Sequence, residues 1–224
     1  MNMMTETSPV LQTACQKCGE CCKRYAISVL PHELKKQATA LQLSEEQFTS
    51  IYTQLLLQVT PAQSGEHKLS IHTSLLPKDF VEVLHKAGID SEHVMLLPML
   101  GFRRQEYCVF FDKEKMGCSI HAVKPMQCNI FPFVGINVED YAKTYDFCEL
   151  ARISSPTDYT YAQVALQGSN MKKYFDSVAE NGMESIWKHV PSTGTLMLKG
   201  KAAGTIHWSA LKNWLQWARE KNES

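Results

Sequence analysis

Eight cysteines hold most of the chemistry open to this 224-residue chain: Cys15, Cys18, Cys21, Cys22, Cys108, Cys118, Cys128 and Cys148. The first four form the run Cys15-x-x-Cys18-Gly19-x-Cys21-Cys22, and nine residues separate Cys108 from Cys118 and again Cys118 from Cys128. Two-residue gaps let successive thiolates turn inward on one tight loop, which is how zinc sites and iron–sulfur clusters both obtain closely spaced ligands. Gly19 suits such a loop, because backbone folded around a metal group often needs a positive φ and close approach of its N–H groups to sulfur. A thiolate loop is rarely a complete site, so the four distant cysteines are expected to close it. Adjacent Cys21 and Cys22 are expected to serve different sites, since neighbouring side chains diverge. Eight thiols supply two four-sulfur sites, or one site and spare thiols, and spacing leaves the pairing open.

Three cysteines at two-residue gaps with a remote fourth is the iron–sulfur arrangement, of the [4Fe–4S] kind, and Cys15, Cys18 and Cys21 have it. Structural zinc favours paired knuckles, and Cys118-x-x-His121 offers one with a histidine ligand. The iron–sulfur reading is preferred and zinc stays as the alternative. His121, His32, His72 and Asp146 are read first as ordinary polar residues. Phe110, Phe111, Phe131, Phe133 and Phe147 flank the cysteines as core aromatics that would also exclude water from a cluster, and Tyr107 is read as a strand aromatic. No hydrolase triad order, phosphate loop, H-E-x-x-H or paired-carboxylate motif is present, so no catalytic residue can be named and any catalysis must centre on the metal. Full thiolate ligation would suit electron transfer or a structural zinc module that presents a binding surface, an open coordination position would suit an enzyme, and a metal-handling protein that stores or delivers ions is the third reading.

The elements that must position these thiols are short. Residues 1–14 read as a loose tail. Pro31-His32-Glu33-Leu34 opens a helix, and Ser44-Glu45-Glu46-Gln47 has capping-box form ahead of Phe48, Ile51, Leu55 and Leu56, which predicts two helices between 31 and 58. Pro77 to Lys86 reads as a helix stopped by Gly88. Alternation from Gln105 to Phe111 predicts a strand, and Asp112 to Gly117 a turn, giving a hairpin that carries Cys108 and Cys118. Pro125 starts a helix containing Cys128 that ends at Phe131-Pro132-Phe133, and Val134 to Val138 reads as an apolar strand. Tyr161 to Val178 and Thr205 to Glu220 have helical periodicity, with Trp208, Leu211, Leu215 and Ala218 on one core-facing stripe. The expected fold is α+β, mostly helical with a small β-hairpin or sheet, a cysteine-rich metal core and C-terminal helices. Its expected organisation is a tail (1–14), a cysteine-cluster metal-binding domain (15–150) and a helical C-terminal region packed on that core (151–224).

Composition narrows the partners. Lys plus Arg and Asp plus Glu are equal at 23 each, with no dense basic run, so nucleic acid is not an expected partner. The longest apolar runs, Leu55-Leu56-Leu57 and Met95 to Leu100, are far shorter than a membrane span. Met1 to Pro9 is polar and carries Glu6, unlike a secretory signal, so the chain is expected in the cytoplasm. Thiols there bind metal or react far more often than they form structural disulfides. Metal ions are the expected partners, beside a redox or protein partner that the sequence does not identify.

The run Cys15-x-x-Cys18-Gly19-x-Cys21-Cys22, with Cys108-x-Phe110, Cys118-x-Ile120, Pro125-x-x-Cys128-x-x-Phe131-Pro132-Phe133 and Cys148, resembles the CxxCxxCC family of zinc- or iron-chelating proteins, also called YkgJ-like cysteine-cluster proteins. The resemblance covers residues 15–148 and implies metal chelation by these cysteines, with the metal left open. Lys124 and Asn129 stand where the family pattern usually carries arginines. One branch of the family, the flagellin lysine methylases, joins the cluster to methyl transfer, but this chain has no glycine-rich strand-to-helix turn to hold a nucleotide-like methyl donor.

Overall fold

The computed structural model describes residues 19–62, 68–133, 143, 145–153 and 155–222. Along these the chain runs through helix α1 (Glu20–Arg24), strand β1 (Ser28–Val29), helices α2 (Pro31–Ala40) and α3 (Glu45–Tyr52), strands β2 (Thr53–Ala62) and β3 (Ser70–His72), helix α4 (Lys78–Lys86) and strand β4 (His93–Phe102). There follow β5 (Phe111–Asp112), β6 (Gly117–Cys118), α5 (Met126–Ile130), α6 (Glu149–Ile153), α7 (Asp158–Asn181), α8 (Met183–Ile186), β7 (Thr193–Leu198), β8 (Lys201–His207) and α9 (Trp208–Asn222). The chain divides into two units, residues 1–27 with 103–171 and residues 28–102 with 172–224.

The second unit overturns the expectation of a mostly helical fold with a small hairpin or sheet. It is built on a six-stranded mixed sheet in which β4 and β2 are central, β7 and β8 follow β2, and β1 and β3 both pair with β4. β2 runs antiparallel to β4 along its whole length, from Thr53 opposite Phe102 to Ala62 opposite His93, and parallel to β7 from Leu55 to Val59. Leu55, Leu56 and Leu57 are buried in succession, as befits a central strand covered on both faces. Helical spacing from Phe48 had placed Leu55 and Leu56 on a helix, but that helix ends at Tyr52 and Ile51 is exposed. A short continuous apolar run is a strand or a buried helix segment equally well by periodicity, and the tertiary environment decides. Gly194 lets β7 close on β2, because a Cβ there would lie 2.0 Å from the Leu55 carbonyl oxygen.

Pro98 stands in the stretch of β4 between the residues paired with β3 and those paired with β1. It has no N–H to offer a neighbour, and its carbonyl accepts from the buried Tyr174 hydroxyl at 3.1 Å. The Tyr174 hydroxyl in turn accepts from the indole N–H of Trp187 at 3.0 Å. The C-terminal third also departs from helices alone: β7 and β8 form an antiparallel pair, and Thr205 to His207 belong to β8. From Trp208 onward the helical stripe holds. Leu211, Trp214, Leu215 and Ala218 are buried, with the Trp214 ring 4.8 Å from that of Phe80, while Trp208 is half-buried and donates its indole N–H to Glu184. Each large apolar side chain so buried contributes about 1.5–3 kcal/mol, enough in sum to dock the helix.

The capping signals fare better. The Ser44 hydroxyl accepts from the Gln47 amide at 3.1 Å and the Gln47 side chain accepts from the Ser44 amide at 2.9 Å, so α3 starts where the sequence places it. α4 ends just before Gly88, whose φ is 68°. Among the described residues no helix is long and apolar enough to cross a membrane.

The first unit is made of shorter pieces. The expected strand over Gln105 to Phe111 is not formed. A single bridge joins Arg104 to Cys108, the residues between them bend, and only Phe111–Asp112 pairs with Gly117–Cys118. Asp112 fixes the turn by accepting from the amides of Glu114 and Lys115, both at 3.0 Å, and these bonds hold its carboxyl below the usual range. Pro125 precedes α5, and the Phe131-Pro132 peptide bond after it is cis. The expected strand Val134 to Val138 lies outside the described residues.

Candidate metal centre

Glycine 19 begins the site. Its φ is 64°, and a Cβ would lie 2.4 Å from Cζ of Phe111, so only a residue without a side chain lets the Phe111 ring close on this turn. The positive φ foreseen from the sequence is present, and the group that approaches is an aromatic ring. Phe111 stacks on Tyr107, with ring centroids 4.9 Å apart and planes 15° from parallel. The Lys23 and Lys113 ammonium groups stand 5.8 and 4.8 Å from the Tyr107 centroid, and Lys113 also pairs with Glu106.

Two backbone contacts tie the same segments. The Cys108 amide donates to the Cys22 carbonyl at 2.7 Å, and the Arg104 guanidinium donates to the Lys23 carbonyl at 2.9 Å. Cys22, at the middle of α1, is thereby joined to Cys108. The Phe111 amide donates to the Cys108 carbonyl and Phe111 is registered with Cys118, which brings Cys118 to the same place. Burial pushes the Cys108 thiol up to about 11, the negative charge of Cys118 adds to the rise, and a Phe110 backbone hydrogen bond and Arg104 oppose it.

On another side of α1 the surroundings are aromatic. Tyr145, Cys148, Leu150 and Ala151 form a buried cluster, with Tyr25, Phe131 and Phe147 packed against it. The Tyr25 ring lies 5.8 Å from Phe131, 5.6 Å from Tyr145 and 6.0 Å from Phe147. Burial raises the Tyr25 hydroxyl, Arg24 opposes this, and the charges of Cys21, Asp146 and Cys148 raise it further. Burial, with the Tyr25 charge, pushes Tyr145 up to about 12. The Arg24 guanidinium sits 4.3 Å from the Phe147 centroid while its Nε donates to Glu20 at 2.9 Å.

Of the eight expected ligands, Cys15 and Cys18 lie outside the described residues. Cys21 and Cys22 are half-buried on α1, Cys108 and Cys148 are buried, and Cys118 on β6 and Cys128 on α5 are half-buried. His121 occupies a 3-10 turn where its Nε2 accepts from Lys124 Nζ at 3.0 Å, and burial, then Lys124, lowers its pKa. That bond occupies one of the two ring nitrogens through which a histidine can bind metal. Asp146 is exposed, and His32 and His72 belong to the sheet unit. Tyr25 and Tyr145 were missed from the sequence. Both stand near cysteines in the sequence, Tyr25 four residues after Cys21 and Tyr145 three before Cys148.

Six described thiols lie in one unit, Cys148 among aromatic rings and Cys22 and Cys108 beside segments that carry Lys23 and Arg104. The chemistry of thiol donors fits a soft or borderline metal such as zinc or iron. Among the described residues, no three His, Cys, Asp or Glu side chains stand close enough together to hold an ion. The class so defined is a thiol-rich metal-chelating module. Residues 14–149 match the model of CxxCxxCC, described as "Putative zinc- or iron-chelating domain", and the chain belongs to that family. No curated protein and no solved structure matches the chain.

Proposed function

We propose that the cysteines of this domain hold an iron–sulfur cluster, of the [4Fe–4S] kind, and that the protein works in the cytoplasm as an electron-transfer or redox-enzyme component. The observation that carries the reading is the spacing of three thiols at two-residue gaps, Cys15, Cys18 and Cys21, the last of which shares one unit with Cys108, Cys118, Cys128 and Cys148. Full ligation draws on Cys15 and Cys18 beside the described cysteines. The group supplies one-electron chemistry when bound. The chain's own residues set its surroundings: Tyr25, Phe131, Tyr145 and Phe147 exclude water on the Cys148 side, and the Lys23, Arg24 and Arg104 charges favour the anionic thiolates. His121 is left out of the ligand set, because Lys124 holds its Nε2.

Anaerobic purification followed by iron, zinc and acid-labile sulfide analysis, with an absorption spectrum, tests this. Iron and sulfide in comparable amounts with broad visible absorption are expected. Zinc without sulfide would replace the redox reading by a structural zinc module, and absence of any metal would overturn both.

A further inference from the structure

The first half of helix α7 has its polarity inside out. A helix on a protein surface normally turns apolar residues inward and charges outward. Between Asp158 and Lys172 the buried residues are Thr160 and Gln167, seven positions apart on one face, while Tyr159, Tyr161 and Leu166 are 43, 48 and 45% exposed. Thr160 is held by reciprocal bonds with Thr157, but the Gln167 side-chain oxygen has no hydrogen-bond partner among the described residues. No charged residue occupies positions 159–171. Exposed aromatic and aliphatic surface without charge has the composition of a protein interface rather than of a solvated face.

The pattern of the exposed face says what covers it. Asp158, Ala162, Ala165, Ser169 and Lys172 are spaced alternately by four and three, so they run in one line along the helix, and all are exposed. The line is small in its middle and oppositely charged at its ends, with Tyr161 on one side and Tyr159 and Leu166 on the other. An antiparallel helix laid on it needs a small residue at the crossing, a cation over Asp158 and an anion over Lys172. The same helix of a second copy meets all three needs. With Ala165 opposite Ala165, Asp158 stands opposite Lys172 and Tyr161 opposite Ser169, so each charge meets its complement and each ring a small side chain. Within one chain Lys172 pairs with Asp176 at 2.7 Å, and an ammonium has donors enough for a second carboxylate.

We infer that the chain forms a two-fold dimer in which the first halves of two α7 helices pack antiparallel and cross at Ala165. The occupant is a second copy because the face supplies both its own charge complement and its own size complement, as an isologous interface does. Residues 158–171 give a contact line about 21 Å long, which is short for an interface, so the dimer is weak and depends on concentration.

Sedimentation of the full chain over a roughly hundredfold range of concentration tests this, with a thiol reductant present to exclude disulfide-linked pairs. Mass rising with concentration towards twice that of one chain is expected, and the mass of one chain throughout would overturn the dimer. Leu166→Glu places a charge on the face at an exposed position, so circular dichroism and melting should match the wild type while the dissociation constant rises at least about tenfold. An unchanged constant would overturn the assignment of this face. Charge exchange keeps the test open should Leu166→Glu fail to fold, and it also fixes the register. Asp158→Lys alone sets like charges together at both ends and is expected to weaken the dimer, whereas Asp158→Lys combined with Lys172→Asp is expected to restore it. A double variant no tighter than the single one would overturn the antiparallel crossing at Ala165.

Discussion

The two units are stabilised in different ways. In the sheet unit, Leu55, Leu57, Leu96 and Leu100 are fully buried on ten-residue strands, and α9 packs its own buried apolar side chains against β3, β8 and Phe80 of α4. In the cysteine unit the one long described element is the first part of α7, residues 158–171, while the described strands are two residues long and α1, α5 and α6 have five residues each. Elements so short are marginal by themselves, since a helix needs about 12–15 residues to persist alone and a lone two-stranded hairpin barely holds in water. The sheet unit therefore draws its stability from packing volume. In the cysteine unit the short segments that carry the cysteines join by single hydrogen bonds, ring stacks and the small buried cluster around Cys148, so a cross-link would add most to them, and bound metal is the kind of cross-link thiols can hold.

The contrast breaks most visibly at the cysteines. Cys18→Ser is expected to lower bound metal and cooperative folding of the cysteine unit together, because structural zinc alone contributes about 10–16 kcal/mol in small peptides. Metal analysis beside calorimetry reads both, and unchanged metal content would count against the site. In the sheet unit the matching change is Leu57→Ala, which leaves a cavity on the central strand and should cost about 2–5 kcal/mol with metal content unaltered. Urea unfolding followed by the buried Trp187 and Trp214 is the readout.

A smaller effect sharpens the comparison through pH. The Cys108 thiol is raised from 9.0 to about 11 in the folded chain, so the neutral form is favoured by folding. Its stabilising contribution is complete below pH 9.0 and is lost as pH rises through about 11. The metal-free protein should therefore weaken over that window by on the order of 2–3 kcal/mol, whereas Cys108→Ala should lack this decline. Unfolding curves at several pH values decide it. The smallest change is Gly19→Ala. The positive φ alone costs about 1–2 kcal/mol, and the new methyl meets Phe111. Melting temperature and metal affinity should both fall, and Phe111→Leu in the same background should recover part of the loss.

What could be read from the sequence follows from how local each signal is. The α3 capping box, the stop at Gly88 and the stripe Leu211, Leu215 and Ala218 depend on residues within a few positions of one another. The sheet does not. Leu55-Leu56-Leu57 lacks the alternation of a half-buried strand because both faces are covered, and Pro98 disguises β4 because its missing N–H is tolerated only where β1 and β3 leave that stretch to Tyr174. β7 owes its place to Gly194 lying against Leu55, a contact across 139 positions of sequence. In the candidate site, the cysteines stand out in the sequence by their spacing. Their neighbours do not, since Cys22 meets Cys108, and Tyr25 meets Tyr145, only after the chain has folded.

The most direct measurement is hydrogen exchange on metal-loaded and metal-stripped protein, compared amide by amide. On stripping, the Cys108 amide, bonded to the Cys22 carbonyl, and the Cys118 region should lose protection while β2 and β4 keep theirs. Equal protection of the Cys108 amide in both states would contradict the claim that metal holds this unit together.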